Sequence, residues 1–157
     1  MRRSQLEAWM SVAVSECRKG LEQGESPFGA AIFDPGGELV AAQFNVVNTQ
    51  QDPTAHAEVM AIRAACQTLG VMTLEEHWLV STGEPCLMCA SVAVTAGIRK
   101  LAYGADCRFI DAVGFETWGV TSEHIFRDAG IEVEVEGGIL KDQCETLLRE
   151  SQASRSI

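Results

Sequence analysis

Positive charge is scarce in this chain. Twelve lysines and arginines stand against twenty-two aspartates and glutamates, a net charge of −10, and no basic run exceeds two residues. A surface of that sign keeps a protein in solution and repels phosphate backbones, so binding to nucleic acid is not expected, although one local basic patch is not excluded. Long apolar runs are missing as well. None approaches the 18 residues of a membrane-spanning helix, and charge at Arg2, Arg3 and Glu7 comes too early for a secretory apolar segment. There is no internal repeat and no low-complexity linker. Of six cysteines only Cys86 and Cys89 are close together; Cys17, Cys66, Cys107 and Cys144 sit in apolar contexts and read as buried thiols. A reducing cytoplasm suits that usage.

What is present is an ordinary globular composition, 46% hydrophobic in 157 residues, enough for one domain over 1–150 with a polar, flexible tail over 151–157. Leu6, Trp9, Met10, Ala13, Cys17 and Leu21 recur at helical steps. Residues 28–33 and 38–44 flank Pro35-Gly36-Gly37 and read as a hairpin. Asp52-Pro53-Thr54 is a helix-start signal, followed by the face Val59, Ile62, Cys66 and Leu69. Residues 78–82 read as a buried strand, 85–96 as a helix and 100–103 as a strand. Residues 107–129 are ambiguous. Ile131, Val133 and Val135 alternate with Glu132, Glu134 and Glu136, the pattern of a strand at a wet sheet edge. Leu140, Cys144, Leu147 and Leu148 mark a last helix. This order predicts a three-layer α/β/α domain with a mixed five-stranded sheet. About 25 residues join the last two strands, room for a helical crossover, so those strands are expected to be parallel.

Two short motifs carry chemistry: His56-Ala57-Glu58 and Pro85-Cys86-Leu87-Met88-Cys89. Their combination is the H-x-E and P-C-x-x-C signature of zinc nucleobase deaminases. Three-residue spacing at a helix start puts both sulfurs on one face, where the helix dipole favours thiolates. His56, Cys86 and Cys89 make three ligands for tetrahedral Zn2+. The fourth position stays open for water, which marks a catalytic site. Glu58 is cast as the acid/base, provided that His56 is not yet helical and both side chains reach one cavity. A redox cysteine pair is the weaker reading. A structural zinc site would need a fourth ligand, for which His77 and Cys107 are the candidates. A non-catalytic zinc scaffold would have no use for Glu58. His77 and His124 otherwise read as loop or surface histidines.

On these motifs the sequence resembles the cytidine deaminase superfamily over about residues 7–150. Asp52-Pro53-Thr54-Ala55-His56-Ala57-Glu58 and Glu84-Pro85-Cys86-Leu87-Met88-Cys89 look like the branch that contains bacterial guanine deaminases and tRNA adenosine deaminases. Ser26-Pro27-Phe28-Gly29-Ala30-Ala31 is similar to the guanine deaminase first strand. Gly114-Phe115-Glu116 is similar to a guanine deaminase segment that closes over the purine. The resemblance implies a homodimer and a cytidine-deaminase-like fold. It also implies substrate contacts from Asn45, Phe28, Ala57 and Glu116, with Asn45 hydrogen-bonding the base. An apolar, poorly patterned stretch containing Phe109, Ile110, Phe115 and Trp118 is the expected dimer contact. Two positions depart from the pattern. Thr117 stands where similar guanine deaminases carry an acid, and Thr95 stands where some relatives have an aromatic; both bear on the substrate and not on the reaction. The expected activity is hydrolytic deamination of a free aminopurine or related heterocycle, guanine first. Editing of tRNA adenosine to inosine and deamination of a cytosine-type base are the alternatives.

Overall fold

A computed structural model describes residues 2–155. Helix α1 (Arg2–Glu22) buries Leu6, Trp9, Met10, Ala13 and Cys17, the stripe set by its three- and four-residue spacing. Strands β1 (Gly29–Phe33) and β2 (Leu39–Phe44) form the antiparallel hairpin. Its turn is fastened by Asp34, whose Oδ1 accepts from the amides of Gly36 and Glu38 at 2.9 Å each. After them come α2 (Val47–Gln50), α3 (Ala57–Leu69), β3 (Trp78–Gly83), α4 (Leu87–Thr95) and β4 (Lys100–Ala105). The chain ends with α5 (Cys107–Ala112), α6 (Ser122–Ala129), β5 (Glu134–Glu136) and α7 (Lys141–Arg155).

The sheet runs β2-β1-β3-β4-β5. β1 is antiparallel to both its neighbours, whereas β3, β4 and β5 are mutually parallel. The expected parallel pairing of the last two strands is therefore present, with α5 and α6 in the crossover. Alternation along β1 feeds two cores. Ala31 and Phe33 join Leu6, Trp9 and Met10 of α1 and Leu147 and Leu148 of α7. Ala30 and Ile32 join Ala61, Ile62 and Ala65 of α3, Ala90 and Ala93 of α4 and Phe126 of α6. α1 lies so close on β1 that a Cβ at Gly29 would sit 2.1 Å from the Ala13 carbonyl oxygen.

Four local features differ from the sequence pattern. α3 begins at Ala57, not near Pro53, because Asp52 spends its carboxylate on the amide (2.9 Å) and hydroxyl (2.7 Å) of Thr54 and forms a turn. The ambiguous segment holds two helices, each capped from the side chain before it. Asp106 accepts from the Phe109 amide, and Thr121 and His124 form a reciprocal capping box. β5 is only three residues long, and its Glu134 and Glu136 both pair with Arg2. α7 continues to Arg155, past the Glu150 where the sequence places a tail; Ser156 and Ile157 lie outside the described residues. Among the described residues no helix is long and apolar enough to cross a membrane.

Candidate metal centre and substrate cavity

A cavity lies just past the end of β3, where Glu84 and Cys86 line it, the usual place for a site in an α/β sheet. His56 is the N-cap of α3 and Cys86 the N-cap of α4, both with extended backbone (ψ 155° and 176°) and neither capping its own helix. Their side chains are thus free to face each other. Cys89, one turn into α4, is buried beside them. His56 Nδ1 lies 3.7 Å from Cys86 Sγ and 3.5 Å from Cys89 Sγ. Tetrahedral zinc bonds of roughly 2.3 Å to sulfur and 2.0–2.1 Å to nitrogen place such atoms about 3.6 Å apart. The donor set therefore fits a zinc ion in identity and in spacing. Among the described residues it forms the one cluster of three possible metal ligands, and neither His77 nor Cys107 joins it. That removes the fourth ligand a structural zinc site would need.

Burial and charge tune the same corner. A hydrogen bond from the Cys89 thiol, against the effect of burial and helped by the His56 imidazole, pulls Cys86 down to about 4, which favours its thiolate form. The hydrogen bond to Cys86 also raises His56, against the effect of its burial. Glu58 occupies the second position of α3 and is 5% exposed. Burial first, and then the Cys86 thiolate, push it up to about 7. Because His56 precedes the helix, His56 and Glu58 line one cavity despite their two-residue spacing.

The cavity is about 220 Å³ and takes Phe28, Asn45, His56, Glu58, Cys86 and Glu116 from the residues expected at the site. Ala57 does not line it; its methyl is fully buried in the core beneath α3. Asn45 serves as a turn residue as well as a lining residue, since its Oδ1 accepts from the Val47 amide at 3.1 Å. Phe28 meets Phe115 edge-on at 5.4 Å and 83°. Of the side chains expected to need cover from a partner, Ile110 is buried within its own chain, Phe109 lies 4.8 Å under the Arg149 guanidinium, and Trp118 is 69% exposed.

Further groups shape the cavity: Glu84 and Thr117 line it, and Glu25 stands behind it. Glu84 is buried, and its carboxylate accepts from the Cys107 amide (2.9 Å), the Ser122 amide (2.9 Å) and the Ser122 hydroxyl (2.6 Å), tying the end of β3 to α5 and α6. Glu25, equally buried, accepts from the amides of Asn48 (3.0 Å) and Thr49 (2.7 Å). It thereby caps α2 and fixes Val47 at the cavity. Thr117 is buried with its hydroxyl 2.7 Å from Asp111 Oδ2. The acid directly before Pro85 was the one readable hint among these. The partners of Glu25 and Asp111 are too far along the chain to leave a local pattern.

Residues 3–105 match the cytidine and deoxycytidylate deaminase zinc-binding region. The chain is 34% identical to a tRNA-specific adenosine deaminase of Bacillus subtilis over 145 residues, 92% of this chain and 87% of that protein. It is 38% identical to a guanine deaminase of the same organism over 111 residues, 70% of each chain. It also superposes on the solved structure of a guanine deaminase from Nitrosomonas europaea with a TM-score of 0.86 at 29% identity, covering 94% of this chain and 84% of that one. With that match and this geometry, the chain belongs to the zinc-binding cytidine and deoxycytidylate deaminase family.

Proposed function

We propose that this deaminase acts on a free aminopurine, guanine first, and replaces the exocyclic amino group by oxygen with release of ammonia. The observation that carries the reading is the cavity itself. It is small, walled by the Phe28–Phe115 pair, and lined by Glu58, Glu84 and Glu116 without a lysine or arginine. A flat heterocycle is recognised by such aromatic walls and a few polar groups, whereas a nucleic-acid backbone calls for clustered cations. Likeness to the Nitrosomonas europaea guanine deaminase structure points the same way.

His56, Cys86 and Cys89 would hold the zinc, which supplies a Lewis acid able to bring the pKa of water near neutrality. Glu58 handles the protons. A carboxyl near 7 gives and takes a proton at one pH. It accepts one from the attacking water and delivers it to a ring nitrogen, then takes the second from the new hydroxyl as the carbonyl forms and gives it to the leaving amine. Water is consumed, a C–O bond replaces the C–N bond, and ammonia departs. Asn45 has committed its oxygen to Val47, so its NH₂ is the group it offers to a ring acceptor. Glu116 is the carboxylate that faces the substrate where Thr117 supplies none. We propose further that the protein is a homodimer with exposed Trp118 at its contact.

A second reading, tRNA adenosine deamination, is favoured by the 34% identity to the Bacillus subtilis tRNA enzyme over most of both chains. One experiment separates the two. The purified zinc protein is offered a panel of free amino-heterocycles that includes guanine and, separately, an anticodon stem-loop containing adenosine. Ammonia from guanine supports the first reading. Inosine in the stem-loop, without ammonia from any free base, overturns it.

A further inference from the structure

Phe115, Glu116 and Thr117 all reach the cavity from the loop between α5 and α6. That loop is awkward backbone. It enters the left-handed region at Gly114 (φ 101°), Trp118 (φ 54°) and Gly119 (φ 68°), and Trp118 has none of glycine's freedom there. Something must hold it. Asp111, in the last turn of α5, accepts through Oδ1 from the Thr117 amide. Its Oδ2 accepts from the Thr117 hydroxyl at 2.7 Å and from the Gly119 amide at 3.0 Å. These bonds fall on the two residues that bracket Trp118. A further bond, from Gln152 of α7 to the Val113 carbonyl at 2.9 Å, fixes the start of the loop. Asp111 itself does not line the cavity.

We propose that Asp111 is a positioning residue for substrate selection: its carboxylate holds loop 114–119 in the form that walls the cavity, acting through Thr117 and Gly119. The proposal rests on the cavity being the deaminase's substrate site. The metal ligands and Glu58 stand on α3 and α4, which Asp111 does not touch through any of these bonds. Its effect therefore falls on substrate affinity and not on metal binding or proton transfer. Three charge-assisted bonds converge on one carboxylate, so its loss is felt locally and strongly.

The test compares the zinc-loaded wild type with Asp111→Ala and Asp111→Asn. It reads amide hydrogen exchange peptide by peptide, zinc content, and steady-state deamination of guanine. In Asp111→Ala, exchange rises in 113–121 and stays unchanged in α3 and α4, and zinc remains bound. KM for guanine rises by about tenfold or more, as expected for losing hydrogen bonds to a charged group, while kcat moves by less than about threefold. Asp111→Asn is intermediate, because its one carbonyl oxygen still accepts from Thr117 while its NH₂ faces the Gly119 amide. Unchanged loop exchange in Asp111→Ala overturns the proposal. So does zinc loss, exchange rising throughout α3 and α4, or a fall in kcat at constant KM. If the wild type releases ammonia from no free base, the proposed function fails and the exchange arm alone decides. A rise confined to 113–121 then supports the Asp111 clamp, and no rise overturns it.

Discussion

The metal corner and the α5–α6 loop wall the same cavity by opposite means. At the corner, His56 and Cys86 are the N-caps of two helices and Glu58 and Cys89 lie in their first turns, so the helix starts fix their geometry and neighbours in sequence are neighbours in space. On the loop, Phe115, Glu116 and Thr117 are held by strained backbone and by a carboxylate from α5. The first arrangement ties the reaction to a few side chains at two helix starts. The second can be reshaped by a few changes without disturbing the chemistry. A fold that keeps its reaction while relatives act on guanine or on tRNA adenosine is built in this way.

The largest effect is expected at the corner. Cys89→Ala removes one of the three clustered donors, and among the described residues no other group joins that cluster. Zinc content by elemental analysis should fall from one per chain to near zero, and deamination to background. Zinc retained at full stoichiometry would mean that another residue completes the site.

Glu58→Gln comes next and divides metal from proton chemistry. It should lower kcat by about 10²–10⁴-fold with zinc still bound. Loss of zinc instead would make Glu58 a ligand. The same substitution has an opposite effect on stability. Glu58 is a carboxyl held above its ordinary value, at about 7, so the folded chain bears the cost of ionising it once pH exceeds the unfolded value, and that cost grows up to about 7. Removing the charge should therefore raise Tm in chelator-treated protein at pH 8, and the gain should vanish below about pH 4.5. Thermal melting at the two pH values measures it.

Phe115→Ala addresses the loop's contribution to binding. It opens the wall opposite Phe28 and removes an edge-on aromatic pair worth about 0.5–1.5 kcal/mol beyond its buried area. The KM for the free base that is turned over should rise by about tenfold, with kcat changed far less. A fall in kcat at unchanged KM would show instead that the loop acts in the transition state.

The same division explains what could be read in advance. His56, Glu58, Cys86 and Cys89 were legible because ligand chemistry needs spacings of two and three residues, which survive as a written motif. The alternation in residues 29–33 and the helical stripe of α1 were legible for the same local reason. The bonding partners of Glu84, Glu25 and Asp111 were not. Glu84 bonds residues 23 and 38 positions away, Glu25 bonds residues 23 and 24 away, and Asp111 bonds six and eight away. Only tertiary structure brings those groups together. The helices of 107–129 fall between the two cases. Asp106 and Thr121 are ordinary N-cap residues, but helices of six and eight residues carry too few turns for a periodic face to stand out. The start of α3 is ambiguous in the sequence because Asp52 offers the same side chain to a turn as to a helix.

The smallest expected effect belongs to the loop's anchor under acid. Burial pushes the Asp111 carboxyl up, but the amide and hydroxyl of Thr117 and the amide of Gly119 together hold it below its ordinary value. A carboxyl depressed in the folded state stabilises that state above the unfolded value, about 3.9, and the contribution drains away as pH falls through the folded value. Asp111→Asn removes the charge and misplaces a donor against Gly119. At pH 7 it should lower stability by about 1 kcal/mol, or about 2–4 °C in Tm for a chain of this size. The difference between wild type and variant should hold from pH 7 down to about pH 4 and close at lower pH. Because both proteins carry the same metal corner, acid loss of zinc affects them alike and cancels in the difference. Melting curves collected on both at each pH read it directly. A gap that widens as the acid limit is approached would show that the carboxylate does not anchor the loop.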